Sequence, residues 1–398
     1  MDRHPSSTAG APAADPALGD RRAPGSARAL FDVPAGIAYF NTANLSPHLH
    51  RVREAGEAAL RRRGQPWTIG PDDWFTDVER LRGLFAALIG ADSDAIAVVP
   101  ATSYGFAVAA RNTALGPGDR ILVLAQEYPS GVYTWRAAAR ATGARVVTVE
   151  RAPDRTWTDA VLDALDEDVA VASVPNVHWT DGSLVDLPAV AARARAVGAR
   201  LVVDGSQSIG AMPFDVGELR PDFVVGVGYK WLLGPFGLGY LYVAPEHRGG
   251  DPVEQNWINR AGSRDFARLV DYRDEYQPGA RRFDVGQRTG FELVPMAVAA
   301  LEQITAWGVG HVAAELAAVT ATIGARAAEL GLAAAGQADR GPHMLGLAVP
   351  DDRREAVLPA LTAANCFASV RGRSLRIAPH LHTTDDDIER LVRALAHV

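Results

Sequence analysis

Between residues 95 and 245 the chain alternates short apolar runs with stretches of helical periodicity. The apolar runs are "AIAVVP" (95–100), "RILVLAQEY" (120–128), "ARVVTVE" (144–150), "VAVASVPNV" (169–177), "ARLVVDGSQ" (199–207), "DFVVGVGY" (222–229) and "LGYLYVAP" (238–245). Between several of them lie "TWRAAARATG", closed by Gly143, "TDAVLDALDED" and "LPAVAARARAVG", which space their apolar residues as amphipathic helices do. The strands are apolar throughout instead of alternating. That pattern predicts burial on both faces, hence a mostly parallel sheet covered by helices. The fold class is α/β.

The pattern changes near residue 245. Residues 245–290 are richer in charge, glycine and proline and predict mostly loop. "ELVPMAVAALEQITAWG" (292–308) then predicts a long helix, and "HMLGLAVP", "FASVRG" and "SLRIAPH" predict strands. "TDDDIERLVRALAHV" predicts a final helix, capped by Thr384 with Asp385 to Asp387 at its positive end. The expected organisation is a large domain over 29–290 and a smaller α+β domain over 291–398. Residues 1–28, rich in Ala, Pro, Gly, Ser and Asp and without the apolar stretch of a signal peptide, are expected to form a disordered tail.

Composition narrows the function classes. A formal net charge of −7 with no basic patch argues against nucleic acid as a partner. One cysteine excludes an internal disulfide framework and a multi-thiolate metal site, and fits a reducing cytoplasm. No apolar run is long enough to span a membrane. "HLHTTDDD" is explained by helix capping, so no metal site is expected.

The cations are distributed unevenly. Of 40 Lys plus Arg only Lys230 is lysine, which leaves 39 arginines. Arginine stays protonated, whereas a partly desolvated lysine loses its proton and attacks a carbonyl to form a Schiff base. An open parallel sheet presents its ligands at the carboxyl ends of its strands, and the sequence places Thr102, Ser103, Tyr128, Asn176, Asp204 and Gln207 there. A pyridoxal 5′-phosphate site needs a lysine, a carboxylate opposite the pyridine nitrogen and a cradle for the phosphate. Lys230, Asp204 and Thr102 with Ser103 fill those roles. The glycine spacing around Lys230 fails both a dinucleotide-binding and a P-loop pattern, because Lys230 lies between Tyr229 and Trp231.

"VVDGSQSIG", followed by "DFVVGVGYKWLLGPFGLGYLYV", strongly resembles the cofactor core of class V aminotransferase-fold enzymes. That group holds cysteine desulfurases, isopenicillin N epimerase-like proteins, kynureninases and ergothioneine-type C–S lyases. The resemblance runs from "YFNTANLSPH" (39–48) to the last helix. It implies the PLP-dependent fold type I, pyridoxal 5′-phosphate as cofactor, and an α-amino acid substrate reacting through an aldimine with Lys230. It further implies Asp204 as pyridinium partner, Gln207 as a donor to the ring oxygen or the aldimine, Asn176 at the ring hydroxyl, and Tyr128 where relatives stack a histidine. Thr102 and Ser103 would hold the phosphate, with Tyr229 beside the lysine.

Two departures stand out. Val227 occupies the place of a phosphate-binding Ser or Thr. In "RRFDVGQRTGF" Gln287 replaces the Thr that relatives extend to a partner's phosphate, which implies a homodimer. Arg376 in "SLRIAPH" matches the arginine that holds a substrate carboxylate, and Asn44 is a second substrate-binding candidate. The stretch from Arg371 to Arg376 lacks the loop cysteine of a desulfurase, and Cys366 is expected to be a buried structural side chain. The expected activity is a lyase or aminotransferase, with an epimerase or a non-enzymatic scaffold as alternatives.

Overall fold

The computed structural model describes residues 27–397. The chain runs β1 (Ala38–Tyr39), α1 (His50–Arg63), α2 (Thr76–Leu88), β2 (Ile96–Val99), α3 (Thr102–Arg111), β3 (Arg120–Leu124), α4 (Pro129–Thr142) and β4 (Arg145–Val149). It continues with α5 (Trp157–Ala164), β5 (Val169–Pro175), α6 (Leu187–Val197), β6 (Arg200–Asp204), α7 (Val216–Leu219), β7 (Phe223–Val227) and β8 (Gly239–Val243). The remaining elements are α8 (Leu293–Trp307), α9 (Val309–Glu329), β9 (Leu345–Ala348), α10 (Arg354–Ala363), β10 (Cys366–Phe367), β11 (Ser369–Arg371), β12 (Ser374–Ile377) and α11 (Asp385–Ala396).

Seven strands form the central sheet in the order β2-β8-β7-β6-β5-β3-β4. Only β8 runs against the others. β2, β7 and β8 are buried at every position, as expected, whereas β4, expected to be buried, lies at the sheet edge and is buried only at Val149. Register brings the functional ends level. Pro175 pairs with Asp204 and Asp204 with Val225. Val227 and Val99 both pair with Gly239, so the starts of α3 and of the Lys230 turn flank the same residue of β8. A Cβ at Gly105 would lie 2.6 Å from Val225 Cγ1, so glycine lets α3 sit close over β7 and carry its N-terminus to the site.

A second cluster of buried residues joins α9, α10, α11 and the antiparallel sheet β11-β12-β9. Its boundaries differ from the expected 291–398 in two ways. Helix α8 packs with α1, α2 and the central sheet in the large core, where Gly56 leaves room for Met296. Conversely, Ala38 and Phe40 belong to the small core, because β1 pairs in parallel with β10. Apolar burial, not chain order, draws the boundary. Thr384 and Asp387 form the anticipated reciprocal cap of α11, with the Asp387 N–H donating to Thr384 Oγ1 at 3.2 Å. The expected tail over 1–28 lies outside the described residues up to residue 26. Arg28 is anchored, its guanidinium donating to Pro34 O and Ile37 O at 2.9 and 2.8 Å and pairing with Asp387. Among the described residues, no single helix is long and apolar enough to cross a membrane.

Candidate active site

The carboxyl ends of β2, β3, β5, β6 and β7 converge on one small cavity. Its walls include Thr102, Tyr128, Asp204, Gln207, Tyr229 and Lys230. Lys230 lies on the turn after β7 and is 8% exposed. Its Nζ sits 5.5 Å from the Tyr128 ring centre and 5.8 Å from that of Tyr229. Burial is the largest influence on the amine and brings it down to about 8, against the raising pull of Asp204 and with help from Arg376 and Arg371. Near neutral pH most of Lys230 stays protonated, but about a tenth is the neutral nucleophile, far more than for an ordinary lysine.

Asp204 ends β6. Burial raises its carboxyl above the usual range, while hydrogen bonding from Ser206 and the Lys230 charge pull it down. The Ser206 N–H donates to Asp204 Oδ1 at 2.8 Å. Gln207 is locked rather than free: its Nε2 donates to Ala43 O at 3.1 Å and its Oε1 accepts from Trp231 Nε1 at 2.9 Å. Thr102 opens α3, where Ala101 precedes the helix and no side chain caps it. The first N–H groups of that helix form a ready anion cradle. Val227 also lines the cavity and offers no hydroxyl there. Tyr128 caps the face of the pocket, with its ring edge-on to Trp179 at 5.6 Å.

The small domain closes the opposite side. Arg376 on β12 is 1% exposed and donates from Nη1 to Trp179 O at 2.7 Å. Its Nε and Nη2 are buried without a partner. Burial chiefly, and then the Arg371 charge, bring this guanidinium down to about 9, with Tyr39 opposing. An arginine in that state is prepared for an incoming carboxylate. The loop from Asn41 to Ser46 ties the two domains: Thr42 N–H donates to Ala378 O at 3.1 Å, and Ser46 donates to Tyr229 O through N at 3.0 Å and Oγ at 3.1 Å.

Other expected residues are placed differently. Asn176 is buried at the end of β5, but its Nδ2 donates to Val185 O at 3.1 Å and it borders a separate, larger groove with Arg151, Asp186 and Asp339. Ser103 is exposed on α3, and Gln287 is exposed away from the Lys230 cavity of its own chain. Asn44 is exposed and accepts from Arg371 Nη2 at 3.4 Å. Cys366 sits buried in β10, where burial pushes its thiol up to about 12.

The sequence reading missed three cavity residues that carry polar atoms in their side chains. Trp179 lay within "SVPNVHWTDG" and Ser206 within "VVDGSQ" without being singled out. Glu127 precedes Tyr128 at the strand end, the one signal that could have found it. Its Oε1 accepts from Tyr128 N–H at 2.6 Å and its Oε2 is buried without a partner. Burial chiefly, opposed by the Tyr128 N–H and helped by Asp204, raises this carboxyl to about 8.

The residues fit a pyridoxal 5′-phosphate. The cavity offers a buried amine, a carboxylate at a strand end, an uncapped helix N-terminus, and two polar atoms without partners in Glu127 Oε2 and Ser206 Oγ.

Comparison with known proteins agrees. The family described as Aminotransferase class-V matches residues 72–384. An uncharacterised aminotransferase of Bacillus subtilis (strain 168), YcbU, is 29% identical over 331 residues, covering 81% of this chain and 85% of that protein. A kynureninase of Deinococcus radiodurans is 32% identical over 270 residues, 65% of this chain and 63% of that one. Among solved structures, a lysine mutant of C-DES with glycine covalently linked to the PLP cofactor superposes with a TM-score of 0.83 at 20% identity, covering 93% of this chain and 98% of that one. The apo cysteine desulfurase of Thermococcus onnurineus NA1 gives 0.78 at 18% identity over 95% of this chain and 98% of that one.

Proposed function

Since the chain belongs to the class-V aminotransferase family of pyridoxal 5′-phosphate enzymes, we propose that it transforms an α-amino acid on a cofactor held covalently by Lys230. The bound cofactor supplies an electron sink for charge developing at the substrate α-carbon. The observation that carries the proposal is that the chain's only lysine is buried, without an ion-pair partner among the described residues, in the cavity that also holds Asp204.

Each role follows from position. The start of α3, with Thr102, would hold the phosphate. Asp204 keeps the pyridine nitrogen protonated, and the Ser206 N–H holds that carboxylate in place. Tyr128 covers one ring face but has no imidazole with which to move protons near neutral pH. Lys230 Nζ, brought by burial to about 8, would be the group that takes or returns a proton beside the substrate. Arg376 holds the α-carboxylate through the N–H groups that lack partners. Gln207, locked by Ala43 and Trp231, sets the position of the wall instead of adapting to substrate.

The reaction we favour is elimination or amino transfer. A thiol-dependent desulfuration needs an accessible thiolate, whereas Cys366 is buried in the small-domain core with its thiol held protonated. The same reading makes the protein a homodimer, with Gln287 serving the neighbouring chain. Leu60, Trp67, Phe236 and Tyr272 are exposed large apolar side chains that an assembly would cover.

The direct test is borohydride reduction of the holoenzyme followed by peptide mapping. A phosphopyridoxyl group should appear on the Lys230 peptide, and both Lys230→Ala and Lys230→Arg should lose turnover. Full activity in the arginine variant would remove the proposal, since that variant keeps the charge and loses the amine.

A further inference from the structure

Two arginines, not one, lie against Trp179, beside the Lys230 cavity. In the β11–β12 hairpin Arg376 pairs with Ser369 and Arg371 with Ser374. Residues two apart on a strand share a face, so Arg371, Ser369 and Arg376 lie on one side of the hairpin. Trp179 joins them: its carbonyl accepts from Arg376, and Arg371 lies 5.9 Å from its ring centre. Trp179 itself is a wall of the Lys230 cavity. Arg371 is close enough for its charge to act on both Lys230 and Arg376.

Arg371 has no carboxylate partner among the described residues. Its polar contacts are neutral, Val370 O at 2.9 Å and Asn44 Oδ1 at 3.4 Å. Arg373, two positions along, shows the contrast: it pairs with Asp351 at 3.2 Å. The chain carries more acidic than basic residues, 47 against 40, yet none of the described acidic residues pairs with Arg371 or Arg376. Three cations, Lys230, Arg371 and Arg376, therefore converge. Arg376, buried with two free N–H-bearing nitrogens, accounts for one carboxylate. Arg371, half-exposed at the mouth and steered by Asn44, is left with its charge unanswered.

We propose that Arg371 is a specificity residue that binds a second anionic group on the substrate, so that the preferred substrates are α-amino acids with an acidic side chain. The inference rests on the amino-acid reading above. Asn44 holds the guanidinium toward the cavity mouth, and Trp179 backs it with an aromatic face. A guanidinium fork takes a carboxylate or a sulfinate in the same bidentate way.

The test is a binding titration of the holoenzyme, read from the cofactor absorption band and by calorimetry. The probes are L-aspartate against L-asparagine, L-glutamate against L-glutamine, and L-cysteine sulfinate as a second source of acidic side chain. At least one acid should bind about tenfold or more tightly than its neutral counterpart, the discrimination of one charge-assisted bidentate contact. Arg371→Gln should bring that ratio to within about twofold of unity, and Arg371→Lys should keep part of it. Equal affinity of acid and amide in the parent would overturn the proposal. So would an unchanged ratio in Arg371→Gln, which would show that another group sets the preference. If no amino acid of any kind shifts the band, the amino-acid reading itself fails and the inference falls with it.

Discussion

Acid should destabilise this protein through histidines buried behind the site. His343 donates from Nε2 to Gln207 O and packs edge-on against Trp231 at 4.3 Å. His380 lies among Phe31, Trp231 and Trp307, with neither ring nitrogen partnered. Burial, above all, holds both rings down to about 3, against an ordinary value of 6.5. Well above pH 6.5 folded and unfolded chains bind the same number of protons at these sites. Between 6.5 and 3 only the unfolded chain binds them, so stability falls as pH drops through that window.

At pH 5 the linkage relation gives about 2 kcal/mol lost per ring relative to pH 8, or roughly 4 kcal/mol for the two if they act independently. Typical domains hold only about 5–15 kcal/mol in total, so the loss should be visible. The assay is urea unfolding at pH 8 and pH 5 of the parent and of His380→Leu, which keeps the volume apolar and removes one titrating ring. The variant should lose about 2 kcal/mol less than the parent between the two pH values. Equal losses in both proteins would refute the reasoning, because the titrating carboxylates are common to both.

Asp204→Asn should retain cofactor through Lys230 and the α3 cradle but slow turnover; a change in kcat below about threefold, ~0.65 kcal/mol, would contradict the ring-nitrogen role. Cys366→Ala should leave turnover within a few-fold of the parent, and mass spectrometry should find no persulfide on Cys366 after incubation with cysteine. Arg376→Ala should raise KM for an amino acid far more than for the corresponding amine, and equal effects on both would indicate a structural role. Sedimentation should show a dimer, and a monomer with full cofactor occupancy would count against the role given to Gln287.

Much of this was legible along the chain because it depends on local chemistry. The apolar strands from Ile96 to Val243 reveal a doubly covered sheet, since a strand buried on both faces cannot alternate. Strand ends are equally local, which is why Asp204, Tyr128, Thr102 and Lys230 could be named before their convergence was seen. The lysine among arginines was visible for the same reason: only chemistry that needs an amine distinguishes the two cations.

What the tertiary structure alone decided involves contacts between distant segments. Nothing local places Ala38 in the small core or α8 in the large one; pairing with Cys366 and packing against Gly56 do that. Glu127 is an ordinary strand-end carboxylate until burial beside Asp204 keeps it protonated. Asn176 turns to Val185, a partner supplied by the loop leading to α6. Arg371 and Arg376 become a pair because Trp179, from another domain, lies against both. Side-chain identity is written in the chain, but desolvation and the absence of a counter-ion are properties of the assembled surroundings, and those set the charge state with which each group meets a substrate.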